Sequence, residues 1–159
     1  VLNVEGEAAM RAAYRGVMAA ASRHAPAAAL EGVIVAPMRP RGLELLVGIS
    51  RDPQWGPVMA LGLGGVWVEA LKDVALRLLP LGAAEVKRAL AGLRGAALLR
   101  GGRGVPAADP DAVADAVMRI GQAALGFGRD LATLEVNPLW VHGDRVEALD
   151  ALCVWNEGN

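Results

Sequence analysis

Glu135, Asn137 and Asp150 are the residues of this chain whose types and spacing can do chemistry. The first two lie in Thr133-Leu-Glu-Val-Asn-Pro-Leu-Trp-Val141, and the third ends Arg145-Val-Glu-Ala-Leu-Asp150. Between these apolar runs stands Gly143-Asp144, the pattern of a two-residue hairpin loop, which fixes the strand register. Position 142 then pairs with 145, and 137 with 150. Opposed residues of an antiparallel pair share a face with β-carbons about 5 Å apart, so an amide oxygen and a carboxylate stand side by side. That donor set suits one Mg²⁺, which takes one or two protein oxygens and completes its octahedron with water and phosphates. Glu135 lies two residues along the same face, near enough to act on what the metal holds. The same polarity fits a hairpin whose outer face is merely solvated, as is normal for antiparallel sheets. Spacing alone leaves the two readings level.

The elements that must position these groups follow from periodicity. Met10, Tyr14, Val17, Met18 and Ala21 recur at helical spacing and predict a helix from about Glu5 to Arg23. His24 in its last turn complements the helix dipole and reads as a capping residue rather than a catalyst. Gly32-Val-Ile-Val35 reads as a buried strand. Leu43, Leu45, Val47 and Ile49 alternate with Glu44, Leu46, Gly48 and Ser50, which predicts a half-buried strand with Glu44 turned from its apolar side. Arg51-Asp-Pro-Gln54 is a turn signal, and Pro57 to Leu61 reads as the returning strand. Gly62-Leu-Gly-Gly65 is a flexible connection into Val66-Trp-Val68, and Val74 to Leu79 forms a further strand. Val86, Leu90 and Leu93 mark one helix. Asp109-Pro110, an N-cap followed by proline at the first helical position, opens another that buries Val113, Val117, Ile120 and Ala124. Arg100-Gly-Gly-Arg-Gly104 reads as a solvated connector, because it does not run from a strand into a helix as phosphate-cradling loops do. Helix, strands, two helices and hairpin in that order give an α+β fold, a mostly antiparallel sheet flanked by helices.

Composition bounds the function. The 159 residues make about one domain, and with one Phe, one Tyr and four Trp the core must rest on Leu, Val and Ala. A net charge of −1 argues against the basic footprint of a nucleic-acid binder, and nucleic acid is not expected as a partner. The single Cys153 cannot form an internal disulfide, so a reducing cytoplasmic setting is expected. No apolar run has the length of a membrane span, and Val1-Leu-Asn-Val-Glu5 lacks the pattern of a signal peptide.

Four segments in order resemble the ATP-grasp domain of the NDP-forming acyl-CoA synthetases, relatives of the β subunit of succinyl-CoA synthetase. They are Gly32-Val-Ile-Val-Ala-Pro-Met38, Gly42-Leu-Glu-Leu-Leu-Val-Gly-Ile-Ser-Arg-Asp-Pro-Gln-Trp-Gly-Pro-Val58, Gly62-Leu-Gly-Gly-Val-Trp-Val-Glu-Ala-Leu-Lys-Asp-Val-Ala-Leu-Arg77, and Leu134-Glu-Val-Asn-Pro-Leu139 with Ala148-Leu-Asp150. The resemblance implies an enzyme that interconverts acyl-CoA, ADP and phosphate with free acid, CoA and ATP, through an acyl phosphate and a phosphohistidine. It implies Mg²⁺ on Asn137 and Asp150 with the nucleotide phosphates, and Glu135 near the phosphohistidine in an orienting, catalytic role. Val35, Ala36 and Met38 fall in the segment that reads the base through its backbone. Glu44 matches the acidic residue that accepts from the ribose hydroxyls, with a solvated strand carboxylate as the alternative. Lys72 and Arg77 could reach phosphates or join an internal ion pair: in an extended segment Glu69, Asp73 and Arg77 share one face and Lys72 the other.

The pattern also departs from the family. Its first ATP-grasp subdomain, which supplies phosphate-binding lysines, has no counterpart here, so residues 1–155 are expected to be the second part of that domain and 156–159 a tail. Neither His24 nor His142 stands in a phosphohistidine context. The CoA-binding and histidine-bearing domains are therefore expected as partners, on another domain or subunit, and the chain alone is expected to have little ligase activity. Ala36 and Pro37 replace the usual Gln or Glu and polar residue of the hinge, and Pro37 removes a backbone donor. The competing reading is a regulatory ATP-grasp-like module fused to a protein lysine acetyltransferase, without ligase activity. The acid substrate, the choice of adenine or guanine, and the oligomeric state are not written in these residues.

Overall fold

The computed structural model describes residues 1–65, 73–102 and 104–156. They fall into two compact units, Val1–Pro40 and a second that begins at Arg41. Within the first, helix α1 spans Glu7–His24, and its last turn carries Arg23 and His24 where cations oppose the dipole. After it, residues 29–40 run without regular structure. The buried strand expected at Gly32–Val35 is not formed: Ile34 is 96% and Val35 63% exposed. A β-branched run suits a strand, but a strand needs a ladder partner, and the described residues offer this segment none. Residues 33–38 instead line one wall of a cavity of about 620 Å³, opposite Val1, Asn3, Val4, Met10, Tyr14 and Val17 of the same unit.

The second unit is a six-stranded antiparallel sheet. Strands β1 (Leu43–Asp52), β2 (Gly56–Leu63) and β3 (Val74–Leu78) lie to one side, with β4 (Leu131–His142) next to β1. Strands β5 (Arg145–Ala148) and β6 (Ala151–Trp155) both pair with β4. Alternation decides which face is buried. In β1, Leu45, Val47 and Ile49 are sealed while Glu44 and Ser50 are exposed. Met59, Leu61, Leu134, Val136, Leu139 and Val141 join the sealed side.

Two helices cover that side. Helix α2 (Ala83–Ala91) contributes Val86, Ala89 and Leu90, and α3 (Pro110–Gly126) contributes Val113, Ala114, Val117 and Ala124. The start of α3 is doubly fixed. Asp109 Oδ1 accepts from the amides of Asp111 and Ala112 at 2.8 and 3.0 Å, and the Asp109 amide donates to Gly143 O in the β4–β5 turn at 2.9 Å. Those two backbone donors hold the Asp109 carboxyl below the ordinary carboxylate range. Leu93, read from sequence as helical, lies past the Gly92 cap of α2 yet stays buried in the core. Gly121 sits inside α3 because a β-carbon there would press on the Leu79 and Met59 side-chain ends at 3.1 and 3.2 Å. No helix of the described residues is long and apolar enough to cross a membrane. Within this unit α2 and α3 thus cover one face of the sheet, and Glu44 and Glu135 lie on the opposite face.

Candidate functional site

The turn at Gly143-Asp144 sets the register from 133 to 154. Gly143 has φ +68°, the left-handed conformation that a two-residue hairpin loop requires. His142 pairs with Arg145, Trp140 with Glu147 and Leu139 with Ala148. Beyond a short break the same offset resumes in β6, where Val136 pairs with Ala151 and Glu135 with Leu152. The break falls where Pro138 has no N–H to give. Even there the backbone stays in step: the Asn137 amide donates to Asp150 O at 3.2 Å, and the Leu149 amide to Pro138 O at 3.0 Å. Asn137 and Asp150 therefore stand opposite each other, as the loop arithmetic requires.

Their side chains make few protein contacts. Asn137 Nδ2 donates to Glu135 Oε1 at 3.2 Å, and Asp150 Oδ1 accepts from the Ala151 amide at 2.9 Å. Asp150 is exposed and the other two are half-buried. Among the described residues no three His, Cys, Asp or Glu groups gather as a metal cluster. One amide oxygen and one carboxylate fit a hard cation that is shared with another ligand, and not a closed protein cage.

Glu44 lies on the face of the sheet opposite α2 and α3, in a cross-strand row with Trp140 and Glu147. Two glycines at the end of β2 shape its seat. The Gly64 amide donates to Glu44 O at 2.6 Å, and a β-carbon on Gly64 would lie 2.9 Å from the Glu44 carbonyl carbon. A β-carbon on Gly65, which has φ +60°, would lie 2.6 Å from Glu44 Oε2. The carboxylate thus rests on the Gly65 backbone. Sequence reading took this glycine doublet for a flexible connection; its signal was the spacing of two glycines immediately after a strand paired with that of Glu44. Trp140 was also missed. It is 2% exposed yet stands outside the core cluster, stacked on His142 with centroids 5.5 Å apart and with the Arg145 guanidinium 5.7 Å from its ring. His142 is in turn held through Nδ1 to Arg41 O at 3.0 Å.

The remaining candidates are distributed differently. Arg77 pairs with Met59, whose side chain is fully buried, so Arg77 belongs to the helix-covered side of β3 and not to the face of Glu44, Glu135 and Asn137. Its Nη1 donates to Leu76 O at 2.7 Å. Asp73, expected on the Arg77 face as an ion-pair partner, accepts from the Gly95 amide at 2.9 Å. Lys72 and Glu69 lie outside the described residues. Val35, Ala36 and Met38 line the cavity of the first unit.

Known proteins share this fold. An ATP-grasp domain model matches residues 1–154. The chain is 38% identical over 154 residues to a trans-feruloyl-CoA synthase of an unknown prokaryotic organism, covering 96% of this chain and 22% of that protein. It is 35% identical over 150 residues to the β subunit of an ADP-forming acetate–CoA ligase of Pyrococcus furiosus, covering 94% of this chain and 64% of the subunit. The chain thus spans less than two thirds of either relative. Among solved structures, an acetyl-coenzyme A synthetase of Ca. Korarchaeum cryptofilum in complex with coenzyme A and Ca-AMPCP superimposes with a TM-score of 0.91 at 33% identity, over 98% of this chain and 68% of that one. Another structure of that enzyme, with Mg-AMPPCP and a phosphohistidine segment pointing towards its nucleotide site, gives 0.80 at 30% identity, over 98% and 67%. The sheet, its helices and the matched residues place the chain in the ATP-grasp domain family.

Proposed function

We propose that the chain is the nucleotide- and Mg²⁺-holding part of an ADP-forming acyl-CoA synthetase, which converts acyl-CoA, ADP and phosphate to acid, CoA and ATP through a phosphohistidine. The observation that carries this is the backbone pairing of Asn137 with Asp150, beside Glu135. A cation held there supplies charge neutralisation to the transferring phosphoryl group. Asn137 contributes its amide oxygen and Asp150 a carboxylate oxygen. Glu135, beside Asn137, orients the groups that meet at the phosphate. Glu44, fixed on Gly65, accepts from the ribose hydroxyls, and backbone groups of Val35, Ala36 and Met38 read the base. Lys72 remains a candidate phosphate contact. Arg77, on the other side of β3, would reach a phosphate only around the sheet edge, and we assign it a lesser part.

The reading is supported by relatives named as a trans-feruloyl-CoA synthase and an ADP-forming acetate–CoA ligase, and by a neighbour solved with Mg-AMPPCP and a phosphohistidine segment. The histidine and the CoA pocket belong to partner domains or a partner subunit, and residues 1–155 to one ATP-grasp domain, in a cytoplasmic enzyme. Titration of Mg-ADP into the intact protein and its Asp150→Ala variant tests the assignment. Loss of one protein ligand is expected to weaken binding at least tenfold; equal affinity in both would remove the metal site.

A further inference from the structure

We propose that Glu135 is a positioning residue for the metal ligand Asn137, locking its amide so that the oxygen remains free for the cation. This rests on the metal reading above. An asparagine amide has two limbs of nearly equal shape and opposite chemistry: the NH₂ limb donates and the oxygen limb accepts. Only one of its two orientations can ligate a cation. A carboxylate accepts and does not donate, so the Glu135 carboxylate 3.2 Å away stabilises the orientation in which Nδ2 faces it. The opposite orientation would set Oδ1 against a carboxylate oxygen. The contact is built into the strand: Glu135 and Asn137 are two residues apart in β4 and share a face. Pro138 next to Asn137 and the backbone bond from Asn137 to Asp150 O hold the amide-bearing residue in register. Outer-shell partners of this kind orient metal ligands and set affinity.

The test separates orientation from charge. Mn²⁺ binding in the presence of ADP is measured by electron paramagnetic resonance on the intact protein, with urea midpoints to verify folding. Glu135→Ala is expected to weaken Mn²⁺ about tenfold, while Glu135→Gln, whose amide can pair with either limb of Asn137 and so no longer selects one orientation, recovers only part of that loss. In an Asn137→Asp background the ligand has two equivalent oxygens and no wrong orientation, so Glu135→Ala is expected to leave Mn²⁺ affinity unchanged or to tighten it. Equal weakening by Glu135→Ala in both backgrounds would overturn the proposal and make Glu135 a direct ligand or a charge in the site. No weakening in the parent background would overturn it as well. If Asp150→Ala also leaves Mn²⁺ binding unchanged, the metal reading itself falls; if Asp150→Ala weakens binding but the Glu135 pattern is absent, only the positioning role falls.

Discussion

Alanine at Gly65 perturbs the seat of Glu44 without touching any residue assigned to phosphate or metal. Two separate costs follow from the structure. An L-residue at φ +60° costs about 1–2 kcal/mol in the left-handed region, and that cost acts on folding. The new β-carbon also falls 2.6 Å from Glu44 Oε2, but this is the free end of a flexible side chain, which yields at little expense. The carboxylate must then leave its seat. Folding should therefore weaken by about 1–2 kcal/mol in urea titration, and affinity for a ribose-bearing nucleotide should fall as far as in Glu44→Ala. In a Glu44→Ala background, Gly65→Ala should cost the same in folding and nothing further in affinity. Gly64→Ala provides the contrast: its β-carbon meets the Glu44 backbone at 2.9 Å, where nothing flexible can move. It should destabilise by about 1–3 kcal/mol as overpacking does, with the β1–β2 pairing shifted. Gly65→Ala with undiminished nucleotide affinity would refute the seat or the ribose role of Glu44.

Gly42→Ala is expected to cost about 3 kcal/mol, the upper end for overpacking, because its β-carbon would meet Val141 O at 2.7 Å and Trp140 Cδ1 at 2.8 Å beside a fully enclosed indole; chemical denaturation with near-ultraviolet circular dichroism reports both the loss and the displaced ring. Asp109→Ala is expected to lower the melting temperature at neutral pH by removing the cap of α3. Since the folded carboxyl titrates below its unfolded value of about 3.9, its contribution is present above that value and lost as pH falls through the folded one. The melting-temperature gap between parent and variant should therefore close below about pH 4, and a gap constant from pH 7 to 2 would contradict the capping account.

Legibility in the sequence followed how local each determinant is. The Gly143-Asp144 loop fixes its own register, and counting residues outward from it places Asn137 against Asp150 without reference to the rest of the chain. Alternation in 43–50 gave the face of Glu44, and Asp109-Pro110 gave the start of α3, for the same reason. Three features depend on partners elsewhere and could not be counted out. The run at 32–35 has strand composition but no ladder among the described residues. The face of Arg77 is decided by pairing with Met59, which no periodicity in 74–79 reveals. The seat of Glu44 is made by Gly64 and Gly65 just past the end of the neighbouring strand, so the glycines read as flexibility along the chain.

The thinness of the donor set has a consequence for the order of binding. Asn137 and Asp150 offer two oxygens, and no three Asp, Glu, His or Cys groups gather as a cluster among the described residues. Mg²⁺ loses water reluctantly and demands six well-placed oxygens, so two protein ligands hold it weakly unless phosphates supply others. Metal and nucleotide should behave as one ligand. Bare Mg²⁺ is expected to bind the intact protein with a Kd in the millimolar range, a binding energy of about 4 kcal/mol, whereas ADP affinity should rise at least tenfold when Mg²⁺ is present. Calorimetric titration of each alone and together measures this coupling, which must be the same in either order of addition. Tight binding of Mg²⁺ without nucleotide would mean that further protein oxygens complete the shell, and the two-ligand site built from the 137/150 pair would have to be redrawn.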